Sequence, residues 1–452
     1  MALTTGQKAG WGLCDMGVVT FVVIKQLLIL SFLTTVMGVP VVLAGWVTTS
    51  ILLFDIITDP MIGSSSDKTE SKWGRRAPWM FWGAIVMAVG TVAMFAVPKD
   101  LAQEFVIGWV GLSFAIATVG FTMVTVPYSA MSGEITEDPK ERSQMTAWRM
   151  TFASIGILVG GAVLPAIANE YGYGVAALII APFLILPVWF SLFFTRNVAS
   201  SFRPTQLGPG EMATSIFRNW PFVVLFVNYG VMTLAVATMT AGLPFAALYL
   251  FFDDGTSSFS SLIDVLGTVS FVLGLFVVGS LLSQVFWVML SNLITKLWAL
   301  VIGLIGYIVL LLFFYVNLPT DNVTLLAIIF LMIGFANGAY QQIPFAMYPD
   351  LMDITRMETG QRIEGAFSAV WLFGQKVANA IGPLMLATII GFYGYKESRG
   401  EIVEQTPEAI EALTFAMTIL PAAVLTVSVI VMVAVYYPLL RMAQKKIEGA
   451  AT

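Results

Sequence analysis

The chain has 452 residues, 58% of them hydrophobic and only 11% charged, which is too little polar side chain to coat two or three soluble domains. Disorder and collagen-like structure are excluded by the same numbers, and a mean hydropathy of +0.87 leaves a polytopic membrane protein. A net charge of −5 and a pI near 4.9 argue against nucleic acid as a partner, while the absence of histidine and the single Cys14 exclude His-ligated metals, His-based triads, intrachain disulfides and Cys-based zinc clusters.

The first seven residues are polar, and a long apolar run starts near Lys8. It is too long for a signal-peptide core and lacks a small-residue cleavage site, so it reads as a retained transmembrane helix. A spanning helix needs about 20 mostly apolar residues. Twelve such runs follow in order: 9–36, 41–64, 78–98, 103–131, 145–169, 174–195, 219–251, 261–290, 297–317, 322–349, 362–392 and 407–440. They are continuous and do not alternate, which excludes a β-barrel. The eighth is the least distinct, because Asp264 sits near its start.

Basic residues sort by loop. One side carries Lys8, Lys68, Lys72, Arg75, Arg76, Lys140, Arg142, Arg196, Arg203, Arg218, Lys296, Arg356, Arg362, Arg441, Lys445 and Lys446; the other has Lys99, Lys396 and Arg399. The positive-inside rule places both termini in the cytoplasm, as an even span count also requires. The mostly acidic segment 394–411 then reads as an exposed extracytoplasmic linker. The stretch 196–218 is polar and rich in Pro and Gly. It separates an N-terminal bundle (1–196) from a C-terminal bundle (219–452) through a cytoplasmic linker (197–218). Internal similarity is weak: charged loops at 134–142 and 350–362 each follow a Pro-aromatic pair, Pro127-Tyr128 and Pro344-Phe345.

Several residues carry chemistry. In the loop after span two, Gly63 allows close helix approach, and Asp67 can pair with Arg75 or Arg76 to lock one conformation from the cytoplasmic side. Six ionisable residues lie inside spans: Asp15, Lys25, Asp55, Asp59, Arg149 and Lys376. Such residues are costly in lipid and mark a functional site or a structural ion pair. Asp55 and Asp59 stand at i and i+4, with Thr58 on the same side. Two carboxylates that close repel unless a proton or a cation intervenes, and hard oxygens suit Na⁺ or H⁺. Lys25 or Arg149 could instead neutralise the pair. Arg149 and Lys376 occupy equivalent spans of the two bundles, and with Lys25 they suggest an oxygen-rich, anionic substrate. Trp148, Trp371 and Phe373 could stack on an apolar ring face or simply pack.

The run from Asp55 through Thr58, Asp59, Pro60, Gly63, Asp67 and Thr69 to Trp73-Gly74-Arg75-Arg76 and Pro78-Trp79 closely resembles the hallmark of the glycoside–pentoside–hexuronide:cation symporters, the melibiose-permease-like branch of the major facilitator superfamily. Gly-Leu-Cys-Asp15-Met-Gly17 is similar to that family's opening motif. Val126-Pro127-Tyr128-Ser129-Ala130 with Glu134 is similar to its fourth-span exit. Asp350, Asp353, Glu358, Gly360, Arg362 and Glu364-Gly365 are similar to its tenth–eleventh loop, which with Asp67, Arg75 and Arg76 is assigned to gating. The resemblance implies an all-α major facilitator fold, with twelve helices in two six-helix bundles rocking around a midplane site. It also implies cation-coupled symport by alternating access. The positions of Asp55, Thr58, Asp59 and Thr122 would form the cation site. Arg149 and Lys376 would join the substrate network, together with Lys25, Thr125 and Trp371.

The chain departs from the sugar carriers of that family. Val19 and Thr125 stand where carboxylates grip sugar hydroxyls, Val18 replaces a lysine, and Ser129 replaces a tryptophan. The region Gly279 to Lys296 has also lost an acidic residue. The expectation is therefore a Na⁺- or H⁺-coupled importer of a sugar-like or organic anion, monomeric and multi-pass in the cell inner membrane. Its partners would be a small-molecule substrate, a monovalent cation and the bilayer, with no cofactor and no nucleic acid. The alternatives are a carrier of an amphiphilic anion such as a lysolipid, and a proton-coupled exporter. A polytopic enzyme is disfavoured by the lack of histidine and of a long soluble loop, and a scaffold has no need of the Asp55/Asp59 pair.

Overall fold

The computed structural model describes residues 3–98, 101, 103–136, 139–196, 198, 209–359 and 364–451. In hydrocarbon every backbone polar group must be satisfied within the segment, so long apolar runs become helices. Among the described residues the only extended pairing is an isolated bridge of Phe251 with Thr320.

The long helices are α1 (Thr5–Leu27), α2 (Val41–Asp67), α3 (Ala77–Phe95), α4 (Gln103–Ile135), α5 (Pro139–Leu158, continued as Leu164–Tyr171) and α6 (Tyr173–Thr195). They go on as α7 (Trp220–Tyr249), α8 (Thr268–Leu293), α9 (Lys296–Val316), α10 (Val323–Thr359), α11 (Glu364–Phe392) and α12 (Pro407–Met417, continued as Ile419–Val431 and Tyr437–Ala451). Eleven described helices are long and apolar enough to cross a membrane. The exception, α11, has 29 residues but carries Gln375, Lys376 and Asn379 in mid-helix.

Several boundaries differ from expectation. The first span is interrupted at Leu13, and past Leu27 it continues through Ile29–Ser31 into a π turn, Phe32–Val36. Asp264 belongs to a separate short helix, Ser260–Leu266, because Gly267 at φ +79° breaks the chain before α8 starts. The charged segment from Asp350 is not a loop: α10 stays helical to Thr359. Part of the linker, Pro209–Arg218, is also helical.

The chain forms two compact units. Unit 1 is Met1–Pro204 with Phe259–Gly274 and Lys396–Glu404; unit 2 is Thr205–Ser258, Leu275–Tyr395 and Gln405–Thr452. Within unit 1, glycines bring α1 and α5 to backbone contact. A Cβ on Gly12 would lie 2.7 Å from Arg149 N, and one on Gly156 would lie 2.6 Å from Met16 O. This closeness places the α5 side chains on the polar positions of α1.

The expectation that 394–411 is an exposed linker is corrected for its middle, where Ser398 is buried. The π turn leaves helix-terminal carbonyls open to outside donors. Thr34 O and Thr35 O accept from Ser398 N at 3.1 Å and Gly400 N at 2.9 Å. Glu397 accepts from Val41 N at 2.9 Å, at the start of α2, where the helix dipole favours an anion.

Candidate functional site

The polar positions of α1, α2, α4 and α5 converge inside unit 1 as two clusters. In the first, Asp55 of α2 is 1% exposed. Lys25 Nζ of α1 lies 3.5 Å from Asp55 Oδ2, and Thr122 of α4 donates from Oγ1 to Asp55 Oδ1. The ammonium also stands 4.1 Å from the centre of the Phe121 ring, a cation–π contact that partly replaces lost hydration. Thr58 is buried one turn on and donates back to Asp55 O at 3.0 Å, so its hydroxyl proton is used within α2. Asp59 follows on the same helix and is half-buried. The helix spacing that put the two carboxylates on one side in sequence thus holds, and Lys25 is the cation set against the first of them.

In the second cluster Arg149 of α5 donates from Nε to Asp15 Oδ2 of α1. Its guanidinium lies 5.4 Å from the Tyr128 ring centre, and Tyr128 stacks on Trp11 at 4.7 Å. Asp15 is 2% exposed and faces Arg149. Of the three cations from which an anionic substrate was expected, Lys25 and Arg149 each face a carboxylate within unit 1.

The other expected substrate residues are dispersed. Thr125 of α4 is half-buried and donates to Phe121 O at 3.0 Å. In unit 2, Lys376 of α11 is half-buried. Trp371 is fully buried, stacked between Tyr229 at 4.5 Å and Tyr348 at 4.8 Å, so a substrate could reach its ring only if that aromatic group opened.

Of the gating set, Asp67 pairs with Arg76 at 2.6 Å, and Arg76 also donates to Ser66 Oγ at 2.7 Å. Arg75 precedes it at the start of α3, half-buried. Asp350 is held by Lys296 at 2.7 Å, a partner the sequence reading did not assign to it. The Asp353 side chain and Arg362 lie outside the described residues. Phe121 and Tyr128 were also missed as partners of Lys25 and Arg149. An aromatic residue in an apolar span gives no signal of its own, though both flank polar positions that were singled out.

A family described as "MFS/sugar transport protein" matches this chain over residues 10–441. The inner membrane symporter YicJ of Escherichia coli (strain K12) is 26% identical over 95% of this chain and 91% of its own. The putative glycoside/cation symporter YagG of the same organism is 24% identical over 96% and 92%. Among solved structures, a bacterial homolog of the human lysosomal transporter Spinster, in an inward-facing and unoccupied conformation, superposes with a TM-score of 0.62. That pair shares 15% identity over 97% of this chain and 96% of the other, which establishes a common fold.

Proposed function

Because the chain belongs to the MFS/sugar transport protein family, we infer that it is a cation-coupled secondary symporter of sugar-like substrates, a multi-pass protein of the cell inner membrane and not an enzyme. YicJ and YagG, which align along nearly the whole chain and are named a symporter and a glycoside/cation symporter, support this reading.

The observation that carries the coupling is the charge arrangement around α2. Lys25 stands on Asp55, where a metal ion would otherwise sit between the carboxylates. Arg149 stands on Asp15. Two cations are thus set among three carboxylates, of which Asp59 is the half-buried one; Asp59 is read as the carboxylate whose charge changes, and the coupling ion as a proton. With Asp59 protonated, the five charged residues Asp15, Lys25, Asp55, Asp59 and Arg149 sum to zero. With it ionised they carry one net negative charge, which a low-dielectric interior penalises. Reorientation without the proton is thereby disfavoured, which is what coupling requires. In unit 1 Thr125 is a proposed sugar contact and Arg149 acts through Asp15. In unit 2 Lys376 is the proposed contact. Two of the three cations already face carboxylates, so a neutral glycoside suits unit 1 as well as an anion does.

Uptake of labelled glycosides into proteoliposomes, driven by a pH gradient or a Na⁺ gradient alone, tests this. A pH gradient is expected to drive accumulation, and Asp59→Asn to leave only equilibration. Accumulation under Na⁺ alone would assign the site to a metal ion, and none under either gradient would overturn symport. Competition by uronates against matched neutral sugars then reads the substrate's charge.

A further inference from the structure

Unit 2 holds a groove of about 850 Å³, of whose lining the transport reading uses only Asp350. Its walls come from the α8–α9 turn, the end of α10 and the last segment of α12. Just before that segment α12 contains a π turn, Met432–Tyr436, which resets the helical register. Two adjacent rows at i, i+4 and i+8 then face the groove: Tyr436, Leu440 and Gln444, and beside them Tyr437, Arg441 and Lys445.

The lining is amphiphilic in an ordered way. Leu297, Leu351, Ile354 and Leu440 make an apolar floor. Lys296, Arg441 and Lys445 are set against a single carboxylate, Asp350, which Lys296 already holds through both oxygens at 2.7 and 2.9 Å. Trp298 and Tyr437, with ring centres 6.1 Å apart, stand at one side, the amphipathic ring type that settles at headgroup depth. The basic-residue asymmetry assigns this end to the cytoplasm, where the leaflet carries anionic lipids and basic pockets between helices bind their headgroups.

We propose that this groove binds an anionic phospholipid of the cytoplasmic leaflet, with the headgroup phosphate on Arg441 and Lys445 and an acyl chain along Leu440, Ile354 and Leu351. Inorganic phosphate would satisfy the cations and leave the apolar floor bare. A zwitterionic lipid would cover the floor and leave the excess positive charge unanswered. Arg441 offers the planar fork that matches a phosphate, and Lys445 one turn on adds a point charge. The proposal is independent of which substrate or ion is carried.

Native mass spectrometry of the full chain, released from micelles doped with equal phosphatidylglycerol and phosphatidylcholine, tests it. Wild type is expected to retain phosphatidylglycerol roughly tenfold over phosphatidylcholine, the order expected for two basic side chains facing one anionic headgroup. Excess inorganic phosphate should not strip the lipid. Arg441→Gln/Lys445→Gln should bring the ratio to about one. Leu440→Trp keeps every charge and fills the floor, so it should also lose retained lipid; it decides the matter should the double variant fail to fold. Equal retention of the two lipids by wild type, an unchanged ratio in the charge variant, full displacement by phosphate, or unchanged retention in Leu440→Trp would each overturn the assignment.

Discussion

Lys25 and Asp55 in unit 1 lie deep inside apolar spans, as Tyr229 and Gln375 do in unit 2, yet the two regions satisfy their polar groups differently. Unit 1 uses full charges in pairs: Lys25 on Asp55, and Arg149 on Asp15. Around Trp371, unit 2 uses neutral groups. Tyr340 Oη donates to Thr233 Oγ1 at 2.8 Å, Thr233 Oγ1 donates to the Tyr229 backbone O at 2.8 Å, and Gln375 donates to Tyr229 Oη at 3.3 Å. Taking charges out of water costs several kcal/mol per ion, whereas a neutral hydrogen bond is worth a net contribution of about 1 kcal/mol. Packing alone would favour the neutral solution in both units. The charged solution in unit 1 is what the proposed proton coupling draws on.

The strongest way to break this comparison is Asp55→Asn. The substitution keeps shape but removes the carboxylate set against the Lys25 ammonium. Removing one member of a buried pair costs roughly 3–5 kcal/mol, so the melting temperature should fall clearly in thermal denaturation. Lys25→Met/Asp55→Asn should recover most of that loss, because neither member of the pair is left behind. A single variant as stable as wild type would mean that the pair is solvated, and the contrast between the units would dissolve.

Next in size is Arg149→Lys. The charge is kept, but the planar fork that serves Asp15 while lying near the Tyr128 ring is lost. A hydrogen bond to a charged group is worth about 1.5–3 kcal/mol, and a loss in that range is expected by the same measurement. Asp15→Asn should cost a similar amount. If Arg149→Lys is neutral while Asp15→Asn is costly, a point charge suffices and the fork contributes nothing.

A smaller effect is expected in unit 2. Tyr340→Phe removes one neutral hydrogen bond and leaves Thr233 still bonded to Tyr229 O. About 0.5–1.5 kcal/mol should be lost, with the cation dependence of uptake unchanged. A shifted cation dependence would show that unit 2 also senses the coupling ion.

How much of this could be read in the sequence depends on the range of the interaction. Asp55, Thr58 and Asp59 follow from helical spacing alone, and Asp67 with Arg76 needs only a ten-residue loop. The partners of Lys25 and Arg149 lie on other helices, and spacing within one span does not choose between Asp55, Asp59 and Asp15. The docking of Ser398 and Gly400 onto Thr34 and Thr35 depends on a π turn and a contact across more than 360 residues, and neither leaves a mark in local composition. Trp371 reads as a lone aromatic in an apolar run; only the fold shows that Tyr229 and Tyr348 already cover its ring.

The smallest expected effect concerns a charged group of unit 1 outside the spans, and it asks whether charge pairing there is as consequential as inside. Glu141 accepts from Thr136 Oγ1 at 2.7 Å and from the Leu3 backbone N–H at 2.7 Å, with Lys8 Nζ at 3.3 Å. The Thr136 hydroxyl first, then the Leu3 amide, and last Lys8 hold its carboxyl below the usual glutamate value. A depressed folded-state value means that the ionised form ties the N-terminus down. The tether is fully present above the ordinary glutamate range near 4.3 and is lost as pH falls through the depressed value. The carboxylate ties down only the first residues of the chain, so the consequence is local fraying of the first turns of α1 and not global unfolding. Hydrogen exchange of the segment Leu3–Gly12 should therefore be slower in wild type than in Glu141→Gln at pH 7, with the gap closing below about pH 4 as the carboxylate takes up its proton. A gap that persists undiminished at pH 3 would show that the tether depends on shape and not on charge. Together with an unaffected melting temperature, the closing gap would set this terminal cluster apart from the Lys25–Asp55 pair inside the spans, whose loss is felt by the whole fold.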